Sequence, residues 1–157
     1  MFRASDYPIN SWLEAYRAEE RKQGRDVSFE PFAYNAEFVP LGVNATLQQV
    51  NATDADSGFA VFKTMQVAFN SASNIYVPFG DVVIQIIQDA SGRAMQDRPT
   101  HLINLFGRGS RPFEWIRPML IGPKSSWTTI ATNNSSTVGL NLRLSYWGVK
   151  VFYRPLQ

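Results

Sequence analysis

YVPFGDVVIQIIQDASGRAMQDRPTHLINLFGRGSRPFEWIRPMLI, residues 76–121, is the stretch from which the fold is read. Its apolar run, Val82-Val83-Ile84-Gln85-Ile86-Ile87, is short and β-branched, which favours a buried strand over a helix. Asp89-Ala90-Ser91-Gly92 then supplies turn chemistry, because Asp and Ser bond their own backbone and Gly tolerates positive φ. Gly107, Gly109 and Pro112 punctuate the far side, and Pro118 and Gly122-Pro123 bracket a second apolar segment. Between the two lies a connection over about residues 90–112 that carries Arg93, Arg98, Arg108 and Arg111. A loop longer than about 12–15 residues is unusual unless function or a partner orders it.

Downstream, Glu114–Ile121 and Ser126–Thr132 read as strands, and Asn133-Asn-Ser-Ser-Thr as a turn. The last strand is the clearest: Leu140, Leu142, Leu144 and Tyr146 alternate with Asn141, Arg143 and Ser145. The apolar phase slips at Trp147-Gly148 and resumes with Val149, Val151 and Tyr153, the pattern expected of a β-bulge or sharp bend at the glycine. Upstream, Ala45–Val50 is a short strand. Asn51–Gly58 is a turn, and Phe59, Val61, Met65, Val67 and Phe69 are expected on one face of the next strand, opposite Thr64 and Gln66. Phe29–Phe38 spaces aromatics around Pro31 and reads as an extended lead-in pinned against a core.

Residues 6–24 form the convincing helix. Ser11 and Glu14 match capping-box spacing, and Ile9, Trp12, Leu13 and Tyr16 put one apolar stripe on a single face. That stripe packs either on its own domain or, as an arm, on a neighbouring subunit, and the residues do not separate the two. Short strands with frequent turns and little helix predict a mainly β chain: an antiparallel β-sandwich, jelly-roll-like, with an N-terminal helical arm. The expected division is residues 1–34 as helix, arm and lead-in, and residues 35–157 as the sandwich.

At 157 residues the chain suits one domain. It has no cysteine, which excludes disulfides and thiolate chemistry. No apolar run approaches the roughly 20 residues a membrane helix needs. Met1-Phe-Arg-Ala-Ser-Asp6 opens with no apolar region of a secretory signal. Net charge is +2, but unevenly spread: residues 1–90 carry −5 and residues 91–157 carry +7. Either opposite strands interleave and cancel, or the module is polarised and docks on an acidic surface. The basic residues are scattered singly, so nucleic acid is not the expected partner.

Catalytic signatures are missing from the sequence. The single histidine, His101, has no serine or acid at a fixed spacing, and one histidine without cysteine leaves little for a transition metal. Asp54-Ala-Asp56-Ser-Gly58 begins like a calcium loop, but Phe59 and Met65 stand where Gly and Glu are required. Gly107-Arg-Gly109-Ser110 lacks the Lys-Ser/Thr of a phosphate loop. Asn44, Asn51, Asn133 and Asn134 head glycosylation sequons and read as turn asparagines. Asp81, Asp89, Asp97 and Glu114 are too loosely placed to nominate a glycosidase pair.

Four segments carry a resemblance as an ordered set: Phe32–Phe38; Ile84–Arg93; Arg98-Pro99 with Leu105-Phe106-Gly107 and Arg111-Pro112-Phe113; and Leu142–Phe152. Over about residues 32–154 the chain resembles small virion structural proteins of tailed bacteriophages, of the capsid cement or decoration type. The resemblance implies a β-sandwich with a structural role, without cofactor or catalysis. It implies the major capsid protein as partner, homo-oligomers on a symmetric lattice, no membrane, and a place in the virion after assembly in a bacterial host's cytoplasm. Partner contacts would come from Ile9, Trp12, Leu13 and Tyr16, which lie outside the resemblance, and from Arg93, Arg98, Arg108 and Arg111, whose guanidinium groups suit carboxylates. Removing residues 1–28 is expected to leave the sandwich folded and weaken assembly. Three rivals stand beside this: a neck or tail component of the virion, a glycan-binding jelly roll using Trp115, Trp127 or Trp147, and a nucleic-acid binder, whose affinity would fall steeply with salt.

Overall fold

The computed structural model describes residues 7–78 and 80–156, with backbone only for residues 7 and 8. Helix α1 (Tyr7–Lys22) leads through Gln23-Gly24 into β1 (Arg25–Leu41), followed by β2 (Thr46–Ala52), β3 (Ser57–Asn70) and β4 (Val82–Gln88). Two two-residue strands, β5 (Arg93–Ala94) and β6 (Thr100–His101), precede a 3₁₀ turn at Leu102–Asn104. Then come β7 (Phe113–Ile121), β8 (Ser126–Asn133) and β9 (Leu140–Pro155). One sheet runs β1-β9-β3-β7; the other runs β2-β8-β4-β5, with β6 also on β4. Every pair within the two sheets is antiparallel.

The sheets face each other across one core. Leu142, Leu144 and Tyr146 of β9, with Phe38 and Phe59, meet Ile84 and Ile86 of β4 and Trp127 and Ala131 of β8. The alternation in β9 therefore did its expected work, with every second residue turned inward. At the centre Trp127 stacks near Phe59 at 6.1 Å and meets Tyr146 edge-on at 5.6 Å, and the Tyr146 hydroxyl pairs with Thr129 at 2.6 Å. Burial pushes the Tyr146 phenol above its ordinary range.

Three expectations need correction. The helix starts at Tyr7, so Ser11 lies inside it and caps nothing; Pro8 occupies the first turn, where a missing N–H costs no bond. The bulge is not in β9, whose register with β1 is unbroken from Pro155 to Leu142. It is in β3, where Val61 pairs with Gly148 and Lys63 with Trp147, leaving Phe62 as the extra residue. Beyond it the faces of β3 exchange: Thr64, Gln66 and Ala68 turn inward and are buried, while Met65, Val67 and Phe69 are half-buried on the outer face. Gly148 is required at this crossing, because a Cβ there would lie 1.8 Å from the Ala60 carbonyl oxygen.

Side-chain amides complete what the ladders leave open. Gln49 Oε1 accepts from Glu37 N at 2.6 Å and Asn51 Nδ2 donates to Asn35 O at 2.9 Å, both on the free edge of β1. Gln88 Nε2 donates to Leu120 O on β7, and Gln96 Oε1 accepts from Ile86 N between β5 and β6. Free edges are templates for unwanted pairing, and these amides blunt them. Asn133, fully buried, donates to the carbonyls of Leu41, Gly42 and Val138 and so ties the β1–β2 connection to the β8–β9 connection.

Candidate interaction surface

The long basic connection is ordered by the core of its own chain. Leu102, Leu105 and Phe106 are buried in the sandwich, and the Thr64 hydroxyl donates to the Leu105 carbonyl. Gly107 then pairs with Met65 as a single parallel bridge, accepting from Gln66 N at 2.8 Å and donating to Thr64 O at 3.1 Å. No side chain fits at Gly107, where a Cβ would lie 2.1 Å from Arg111 O. The chain next closes the turn 108–111, with Arg111 N bonded to Arg108 O at 2.9 Å.

This path separates the four arginines named from the sequence. Arg93 is exposed beside Gln88, near the turn into β4's far end. Arg98 is exposed and pairs with Asp97 at 3.3 Å. Arg108 and Arg111 alone come together, across their bridge, and line a cleft of about 530 Å³ with Phe113 and Ile103 as walls and Gln66 beneath. Gln66 also lines a neighbouring depression of about 290 Å³ with Tyr76, Gly109 and Arg143.

The helical stripe gathers on the outer face of the β1-β9-β3-β7 sheet. Leu13 is buried, with Ile9, Trp12 and Tyr16 beside it, against Val27, Ala60, Phe62, Val149 and Val151. Trp12 stacks on Tyr16 at 4.9 Å and meets Phe62 edge-on at 5.4 Å. The Tyr16 and Tyr153 hydroxyls pair at 2.9 Å, and burial followed by this bond pushes the Tyr16 phenol above its ordinary range. Arg17 Nε donates to Val27 O at 3.2 Å with its guanidinium over Phe29, and Arg25 pairs with Glu20 at 2.8 Å. The Arg21 guanidinium, bonded to Asp26, holds that carboxyl below its ordinary range.

The remainder of that outer face is uncovered. Its rows are Ala33, Trp147 and Lys63; then Asn35, Ser145 and Met65; then Glu37, Arg143 and Val67. Trp147 is 52% exposed, whereas Trp127 is in the core and Trp115 is half-buried with Nε1 donating to Thr64. Ile116, on the irregular middle of β7, is fully exposed. The two oppositely charged halves of the chain interleave: Glu37 pairs with Arg143, Glu114 with Lys63 and Asp54 with Lys150. Asp54 is thereby engaged by an ammonium, and no group of three or more metal-ligating side chains occurs among the described residues.

Sequence reasoning placed the arginines but not Gln66 and its neighbours. The one mark of this in β3 is Val61-Phe62, two adjacent apolar residues that interrupt the alternation without fixing which face each later residue takes. No helix of the described residues is long and apolar enough to cross a membrane. No family model matches this chain, and no curated protein matches its sequence. Among solved structures it is similar to a structure of infectious bursal disease virus, Gt strain, at 14% identity and TM-score 0.32, over 85% of this chain and 38% of that one. It is likewise similar to the VP2 subviral particle of infectious bursal disease virus, at 11% identity and TM-score 0.33, over 85% of this chain and 37% of that one. The chain thus spans little more than a third of either.

Proposed function

We propose that this chain is a non-enzymatic virion structural protein built on a jelly roll, and that it serves as a cement or decoration subunit of a bacteriophage head. The observation that carries the reading is the strand order, 1-9-3-7 facing 2-8-4-5. That order supports two interleaved Greek keys, an arrangement shared by many capsid and lectin domains. The sequence resemblance to phage cement proteins narrows it to the virion. Blocked sheet edges fit the same role, because a subunit that must assemble in one way needs its backbone ladders closed and its loops and faces left for contact. The partners in this reading are the major capsid protein and further copies of the chain on a symmetric lattice.

Copy number tests it: quantitative mass spectrometry of purified particles of the virus that encodes the chain. A count on the order of hundreds per particle supports a lattice-wide subunit, and a ring-like count of about six or twelve moves it to the neck or tail. Absence from the particles overturns the virion reading. The helix has its own test. In a chain beginning at Gln23, β1 is intact, and a partner role for the stripe predicts weaker incorporation into particles with the β-sheet circular dichroism kept.

One observation favours a second reading. Trp147 lies exposed on a sheet face in the row of Lys63, with Asn35 and Ser145 in the next row, an aromatic platform with polar groups alongside. A glycan-binding module would lose retention on a glycan array with Trp147→Ala, and a structural subunit would show no retention to lose.

A further inference from the structure

We propose that the outer face of the β2-β8-β4 sheet is where two copies of this chain meet, packed face to face about a two-fold axis that runs along β8 past Ile130. The inward residues of these strands, Ile84, Ile86, Trp127 and Ala131 among them, lie in the core, so their alternates point away from it. Among those alternates are Val83, Ile87 and Ile130, half-buried, and Val50, which is 56% exposed. The helix packs on the other sheet. β2, β4 and β8 contain no charged residue, whereas each of β1, β3, β7 and β9 contains at least one. The nearest charges stand at the margins, Asp89 just past β4 and Asp81 beside His101 at its start.

Three features select a second copy as the occupant. The first is charge. An uncharged face offers nothing to an acidic or basic partner, and it docks on itself without setting like charges against each other across the axis. The second is that its hydroxyls are already engaged. Thr46 pairs with Thr132 at 2.9 Å, and Thr128 and Ser126 both donate to Asp89, at 2.7 and 2.6 Å. Covering them strands no polar group, so the threonines present their methyl groups at little desolvation cost. The third is the row through Ile130, which has Gln48 on β2 at one side and Gln85 on β4 at the other. An axis along β8 exchanges those two columns. Gln48 of one copy then lies over Gln85 of the other, and the reverse, so each amide, both donor and acceptor, meets an amide. Size sets the strength. The face measures about 24 Å along the strands and about 19 Å across β2, β8, β4 and the short strands beside β4. That is a footprint of roughly 900 Å² for the pair, near the roughly 1,000 Å² a specific interface needs and far below the obligate range. The dimer is therefore a weak one.

This names the surface for the copy-to-copy contact that the proposed function includes. It is read on the purified chain, so it can fail while particle counting succeeds, and the reverse. Sedimentation velocity of the full chain from about 5 to 500 μM should show a monomer–dimer equilibrium with Kd on the order of 10–100 μM. Val50→Lys, at an exposed position, should weaken it at least about tenfold, and Trp147→Ala, on the other sheet's outer face, should leave it unchanged. Raising salt from about 0.05 to 0.5 M should not weaken it, because no charges face each other. Gln48→Lys with Gln85→Glu in one chain sets opposite charges across the axis and should dimerise at least as tightly as the wild type. Gln48→Lys with Gln85→Lys should stay monomeric. Unchanged melting temperatures establish that the variants fold. A dimer that Val50→Lys leaves intact, one that Trp147→Ala or salt disrupts, or two glutamine double variants that behave alike overturns the proposal. So does a chain monomeric throughout the range, which would leave the face to a different protein.

Discussion

The two apolar surfaces of the β1-β9-β3-β7 sheet are made from the same strands and are closed in different ways. The inner one meets a second sheet, and its residues are fully buried on both sides. The outer one, smaller, is covered by a single helix that buries Leu13 and only half-buries Ile9, Trp12 and Tyr16. The inner surface follows from plain alternation along each strand. The outer surface exists because β3 carries one residue more than its neighbour between Val61 and Lys63, and β9 places Val149 and Val151 outward where Arg143 and Ser145 stood before. A sheet can therefore be apolar on one face along its whole length and on the other over half of it. The boundary lies at Trp147-Gly148.

The strongest way to break the comparison is at that boundary. Gly148→Val puts a side chain into the Ala60 carbonyl and should cost about 4 kcal/mol or more, read as the urea midpoint of the variant against the wild type. Next, Leu144→Ala in the inner core should cost about 3–4 kcal/mol, because two packed sheets cannot collapse into the space. Leu13→Ala, under a helix free to settle, should cost about 2 kcal/mol, and equal losses at the two sites would remove the distinction between the surfaces. Tyr16→Phe is smaller, about 1 kcal/mol for the lost hydroxyl pair with Tyr153. It also carries a pH signature. Folding raises the Tyr16 phenol above 10.0, so its contribution is full below that pH and is lost as pH climbs beyond it, when the unfolded chain ionises first. Melting curves above pH 10 should therefore fall less steeply for Tyr16→Phe, with Tyr146 still supplying a share of the slope.

What was legible in the residues was the inner surface. β4, β7, β8 and β9 start or end within a residue or two of their expected places, because each alternates or runs apolar between turn residues. β1 was harder. Its 17 residues include Pro31 and Pro40, which argue against a strand inside a sheet but are tolerated at an edge, where β1 lies. The face exchange in β3 was not legible from β3 alone, since register belongs to a pair of strands and the missing room is at Gly148. The cleft depended on the same exchange, which turns Gln66 inward. The arginines were visible individually. That Arg108 and Arg111 share a turn follows from Gly109-Ser110 between them, but where that turn sits depended on where Leu102, Leu105 and Phe106 anchor the connection, information that no local pattern holds.

The link between α1 and β1 sets a length scale. Gln23 and Gly24 close off the helix by bonding back to Glu20 and Arg21, and Gly24 takes a positive φ of 78°. Two residues span about 7 Å at full extension and a sixteen-residue helix about 24 Å, so a helix released from its own sheet would reach roughly 30 Å from the start of β1. A neighbour that exchanged helices with this chain would have to present its own outer sheet face inside that sphere. Only subunits standing wall to wall satisfy this, and a distance measurement between labels on adjacent copies would read it directly.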